Sequence, residues 1–146
     1  MLCRDLMKTD VECVASNESV AEAARRMRDE EVGFLPVCDP AGRVLGAITD
    51  RDITVRLVTE RRSPDTPVQD LMTREVVACH PTHLIERAEF LMGRAKVSRI
   101  MCIDEDSGHL VGVISLSDIA QVEEGARASE TLREVSSREV RRLASV

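Results

Sequence analysis

Apolar positions in this chain form short runs and helical stripes in a fixed succession, and that succession occurs twice. A brief apolar run from Val11 to Val14 predicts a β segment. Val20, Ala23, Ala24 and Met27 then fall at i, i+3, i+4 and i+7, the inward stripe of an amphipathic helix. Ser19 and Glu22 carry capping-box spacing at its start. Two strands, Leu35 to Cys38 and Val44 to Thr49, flank Asp39-Pro40-Ala41-Gly42, whose residues suit a tight turn. A second helix is predicted from the Thr49/Asp50 region, where short polar side chains serve as N-caps.

The second passage repeats each element. Val76 to Cys79 is the β segment, and Ile85, Ala88, Leu91, Met92 and Ala95 line the helix. Strands Ile100 to Ile103 and Leu110 to Ser115 flank the turn from Asp104 to Gly108, and a helix follows from Ser115/Ser117. Residues match as well as rhythms: Asp5-Leu6-Met7 returns as Asp70-Leu71-Met72, an offset of 65 kept by Val20/Ile85, Ala23/Ala88 and Met27/Met92. One residue added in the second turn moves the offset to 66, where Gly46 meets Gly112, Ile48 meets Ile114 and Asp52 meets Asp118. Met27 and Met92 are therefore expected at equivalent buried positions.

The predicted fold class is mixed α/β (α+β), a β-α-β-β-α unit written twice. A three-stranded sheet with helices on one face leaves its edges bare, so the copies are expected to pack around a pseudo-twofold axis. The predicted organisation is a first repeat at 1–62, a second at 63–125 and a helical extension at 126–146. Residues 61–67 read as the linker, with Thr66 as cap and Pro67 at the first position of a helix. Gly125 is expected to end the last helix of the second copy. A further helix is expected from about Ser129 to Leu143, with Thr131 and Glu134 in capping-box spacing and an apolar stripe of Leu132, Val135, Val140 and Leu143.

Composition narrows the function classes. With no Trp, no Tyr and only two Phe, the core must be aliphatic, and the aromatic platforms that stack single-stranded bases are missing. A net charge of −6 supplies no field for DNA or an acidic membrane. No apolar run approaches the roughly 18–20 residues of a membrane span, and the first residues carry no signal-like core, so the expected location is cytoplasmic. Five cysteines without a CxxC are expected to be reduced, buried, small hydrophobes. Cys79-His80-Pro81-Thr82-His83 is the one metal-like cluster, and with no fourth ligand nearby no metal site is assigned.

The strand-to-helix junctions carry the most specific signal: Gly46-Ala47-Ile48-Thr49-Asp50-Arg51-Asp52-Ile53 and Gly112-Val113-Ile114-Ser115-Leu116-Ser117-Asp118-Ile119. Both fit the pattern Gly-apolar-apolar-Thr/Ser-x-x-Asp-apolar. Set in the duplicated frame, they make residues 3–123 resemble a pair of cystathionine-β-synthase-type (CBS) domains, a Bateman module. The resemblance implies an adenine nucleotide, AMP or ATP, held in the cleft between the repeats. It assigns Thr49 with Asp52, and Ser115 with Asp118, to phosphate and ribose. It seats the adenine among the apolar segments around Val11, Val32-Gly33 and Val97-Ser98. The chemistry is sound in itself, because a helix N-terminus favours phosphate, hydroxyls donate to its oxygens and a carboxylate accepts from ribose hydroxyls. Ser117 adds a hydroxyl in the second copy, where the first has Arg51 as a candidate phosphate ligand.

No catalytic residues are assigned: there is no nucleophile–base pair, Walker loop, GxGxxG or HExxH. The chain reads as a stand-alone regulator with no tightly bound cofactor, expected to form a homodimer and to signal through an unidentified protein. Two alternatives stay open at this point. One is a structural or dimerisation module whose Thr, Ser and Asp residues are only helix caps. The other is a nucleotide hydrolase or a metal or redox sensor.

Overall fold

The computed structural model describes residues 1–122 and 129–137. It contains two three-stranded sheets, and the chain divides into two compact units.

One unit comprises Glu12–Val76 with Ser107–Leu110. Its elements are β1 (Val14–Ala15), α2 (Val20–Glu30), β2 (Phe34–Cys38), β3 (Val44–Thr49) and α3 (Asp50–Asp52), which continues as a π-helical stretch, Ile53–Val58, followed by a 3₁₀ turn, Val68–Asp70. Strand β1 is parallel to β2, and β2 is antiparallel to β3. The core is aliphatic: Val14, Val20, Ala23, Met27, Leu35, Val37, Ile48, Leu57, Val68, Leu71 and Met72 pack together. Ala24, expected in the stripe, is exposed; Val20, Ala23 and Met27 suffice to fill the face.

Several local expectations are corrected here. Strand β1 begins at Val14 rather than Val11, since only Val14 and Ala15 find partners on β2. Cys13, just ahead of it, is disulfide-bonded to Cys38, so these two are not reduced thiols; the strand pairing brings their Cα atoms to 5.8 Å. Ser19 caps α2 by accepting the Glu22 N–H, but the Glu22 carboxylate turns to Arg25 and Arg26 instead of closing the box. Pro67 is the cap of the 3₁₀ turn rather than its first residue. Thr66 and Pro64 offer their carbonyls to the N–H groups of Val20 and Ala21, so the linker covers the start of α2.

The other unit comprises Met1–Val11, Val77–Asp106 and the described residues from Val111 onward. It holds α1 (Cys3–Leu6), β4 (Ala78–Cys79), α4 (Ile85–Ala95), β5 (Arg99–Ile103), β6 (Leu110–Ser115) and α5 (Leu116–Val122). The N-terminal segment stands where the linker stands in its counterpart: the Met1 carbonyl accepts the Ile85 N–H, and Cys3 is fully buried. Met92 is fully buried and Met27 nearly so, as expected from their equivalence. Helices α2 and α4 both end in a left-handed residue, Glu31 (φ 55°) and Lys96 (φ 57°).

Residues 129–137 are helical. Thr131 lies inside this helix rather than at its cap, and Thr131 and Val135, one turn apart, are its buried positions, while Leu132 is exposed. Gly93 of α4 leaves room for the Glu134 side chain. The expectations for Gly125, Val140 and Leu143 fall outside the described residues.

Candidate functional site

Strand β3 ends at Thr49, and the backbone turns at once into α3. The Thr49 hydroxyl accepts the Asp52 N–H at 3.1 Å, and the Thr49 N–H donates to Asp52 Oδ2 at 3.0 Å. In the other unit the Ser115 hydroxyl accepts the Asp118 N–H at 3.1 Å, and the Ser115 N–H donates to Asp118 Oδ2 at 3.0 Å. Each is a closed capping box. A hydroxyl that accepts still has its own proton to donate, and each carboxylate has a second oxygen, Oδ1, outside the box. Ser117 lies 2.8 Å, oxygen to oxygen, from Ser115, which adds a second hydroxyl to that site.

The apolar segments named from the sequence arrive beside these boxes. The Asp50 N–H donates to the Gly33 carbonyl at 3.0 Å, and the Leu116 N–H to the Ser98 carbonyl at 2.8 Å. Val32-Gly33 therefore abuts the Thr49–Asp52 turn, and Val97-Ser98 abuts the Ser115–Asp118 turn. Val11 is half-buried ahead of β1 and belongs to the unit containing Ser115. Arg51 is exposed, with its backbone N–H bonded to Asp50 Oδ1.

The signature glycines have a physical reason. Residue 73 crosses β3 in a two-way backbone bridge with Ala47, and residue 8 crosses β6 in the same bridge with Val113. A Cβ on Gly46 would collide with the Thr73 carbonyl; one on Gly112 would stand 2.9 Å from the Lys8 carbonyl and the Met7 side chain. These crossings bring to the two aspartates side chains that the sequence reading did not name. Thr73 Oγ1 lies 3.4 Å from Asp52 Oδ1, and Lys8 Nζ lies 3.0 Å from Asp118 Oδ1. Their offset of 65 marks them as equivalents, and the glycines mark a close approach, but nothing in the signature names what approaches.

The two carboxylates consequently differ in surroundings. Asp52 has Arg56 Nε at 3.9 Å, and Arg56 is held by the Leu71 and Met72 carbonyls at 2.9 and 3.2 Å. Val122 occupies the place equivalent to Arg56 in the second copy. For Asp118, burial pushes its affinity for a proton up, but hydrogen bonds from Ser115 and the Lys8 ammonium outweigh that and hold the carboxyl below its ordinary range.

Cys3, Cys79 and Cys102 are fully buried thiols. Cys79 is pushed up to about 12 by hydrogen bonding to Cys102 and by burial, and Cys3 is raised by Cys79 and by burial. Thiols so strongly protonated are poor nucleophiles. The His80 ring bonds the Ile103 carbonyl at 2.9 Å, and His83 Nδ1 accepts the His80 N–H. Among the described residues no group of three or more His, Cys, Asp or Glu is placed to hold a metal, and no helix is long and apolar enough to cross a membrane.

The fold and the duplicated junction define a class. The CBS domain profile matches residues 3–59 and 68–125, and the chain belongs to the CBS-domain family. It is 36% identical over 117 residues to the CBS domain-containing protein YhcV of Bacillus subtilis, covering 80% of this chain and 81% of that protein. It is 31% identical over 119 residues to hypoxic response protein 1 of Mycobacterium tuberculosis, covering 81% and 82%. A crystal structure of hypoxic response protein I with two coordinated zinc ions superposes with a TM-score of 0.78 at 30% identity, covering 85% of this chain and all of that one. The CBS domain pair of protein MJ0100, solved with 5′-methylthioadenosine and S-adenosyl-L-methionine, gives 0.74 at 25% identity, covering 84% and 94%.

Proposed function

We propose that this chain is a regulatory, non-enzymatic CBS pair that binds an adenosyl ligand, AMP or ATP foremost, at the Thr49–Asp52 and Ser115–Asp118 turns. The observation that carries this reading is the twin capping box, which leaves Asp Oδ1 outside the box and a hydroxyl proton to donate in each unit. Oδ1 of Asp52 and of Asp118 accepts from a ribose hydroxyl. Thr49, and Ser115 with Ser117, donate to ribose or phosphate, and Arg51 supplies a cation on the first side. Val32-Gly33 and Val97-Ser98, with Val11, flank the base. The adenosyl compounds in the MJ0100 pair support the ligand class.

A helix cap alone accounts for Thr49 and Ser115 and uses only Oδ2 of each aspartate, while Oδ1 faces exchangeable side chains, Thr73 at Asp52 and Lys8 at Asp118. The proposed protein works as a homodimer and passes ligand occupancy to a protein target through a shifted conformational population. Exposed Val55, Val58 and Phe90 supply apolar surface for self-association.

A thermal-shift panel of AMP, ATP, NAD and S-adenosylmethionine tests the ligand class. A ligand at 100 times its Kd stabilises by about 2.7 kcal/mol, which raises the Tm by several degrees for a chain of this size. At least one adenosyl compound should do so where guanosine counterparts do not. A flat panel at millimolar concentration contradicts the proposal.

A further inference from the structure

Lys8 lies outside both signature octapeptides, yet it occupies the carboxylate oxygen that the proposed ribose contact needs. Its Nζ is 3.0 Å from Asp118 Oδ1, and its side chain is 66% exposed while that of Asp118 is 10% exposed. The amine thus reaches in from the surface side, on a backbone pinned to Val113. The equivalent residue in the other unit is Thr73, which is uncharged and 3.4 Å from Asp52. Arg56, the cation near Asp52, is already committed to two backbone carbonyls.

We infer that Lys8 selects for phosphate: at the Ser115–Asp118 site it favours nucleotides over the bare nucleoside, a role with no lysine counterpart at the Thr49–Asp52 site, where Thr73 stands instead. The inference rests on the proposed adenosyl function. A nucleoside arriving at Asp118 competes with the ammonium for Oδ1 and returns it only to water. A nucleotide competes too, but offers the ammonium a phosphate. The lysine stem is flexible enough to exchange one anion for the other, and its three donors suit phosphate oxygens. At Asp52 no free amine has to be moved and none is gained.

The test is calorimetry with AMP and adenosine on full-length Asp52→Ala protein, which leaves the Ser115–Asp118 site to be read alone. Adding Lys8→Met should weaken AMP about tenfold or more and tighten adenosine severalfold, while Lys8→Arg should retain most of the AMP affinity. Opposite movements are the signature, because a purely structural role would shift both ligands in one direction. If Lys8→Met moves both together, or neither, the inference fails. If Asp118→Ala abolishes AMP binding and Lys8→Met leaves it intact, the adenosyl reading stands and only the role of Lys8 falls. If the Asp52→Ala protein binds neither ligand with Lys8 present, while the unaltered chain binds AMP, the Ser115–Asp118 site is empty and the inference falls with it. No heat from either ligand in the unaltered chain removes the adenosyl reading itself.

Discussion

Asp118 serves two masters: Oδ2 closes the helix cap and Oδ1 holds Lys8. The folded carboxyl sits below its ordinary range, whereas the unfolded chain returns to roughly pH 3.9. The stability it contributes is therefore present above about pH 4 and lost as pH falls through the folded value. Urea unfolding of the unaltered chain and Asp118→Asn should differ at pH 7 and converge as the pH is taken below the ordinary carboxylate range; a gap independent of pH would show that the charge contributes nothing. Lys8 adds little to this, because its amine is largely in water. At this scale the sequence was legible wherever residues are local. Thr49, Asp52, Ser115 and Asp118 were readable because cap and carboxylate are three residues apart. Thr73 and Lys8 were not, because they reach the site from 21 and 110 residues away. Cys13 and Cys38 were misread for the same reason: a pairing across 25 residues leaves no local motif.

Among the elements, the two strand crossings hold the site's geometry. Gly46 and Gly112 exist because another backbone passes over them, so Gly46→Ala and Gly112→Ala should each lower stability by about 1–3 kcal/mol. Gly33→Ala makes the matching control. The three atoms nearest its Cβ would all belong to the exposed Asp50 side chain, which can swing aside, and the expected loss is under about 0.5 kcal/mol. Equilibrium denaturation compares the three; equal losses would show that the crossings impose no special constraint. Helical periodicity located the starts of α2 and α4, because each buries one face, and β2, β3, β5 and β6 are legible to within a residue or so as continuous buried apolar runs flanking polar turns. The pattern starts β1 too early, because two strand residues suffice for pairing; the helix expected from Ser129 is present over residues 129–137, but Thr131 is buried within it instead of capping it.

For the whole molecule, the duplicated sequence and the compact units do not share ends. Residues 1–11 complete the unit built mainly from the second copy, and the linker and residues up to Val76 complete the other. A sequence comparison registers copies by similarity, but a unit closes where backbone N–H groups and apolar faces are satisfied, here at the starts of α2 and α4. The same exchange brings Thr73 and Lys8 to the two aspartates. The central claim, that those aspartates grip a ribose, is tested most directly by calorimetry of AMP against the unaltered chain and the Asp52→Ala/Asp118→Ala double variant. Loss of a charged hydrogen-bond partner should weaken AMP by about one to two decades, with a cooperative melt retained. The 2′-deoxy form should bind the unaltered chain more weakly than AMP. Equal AMP affinity in the two proteins would contradict the account.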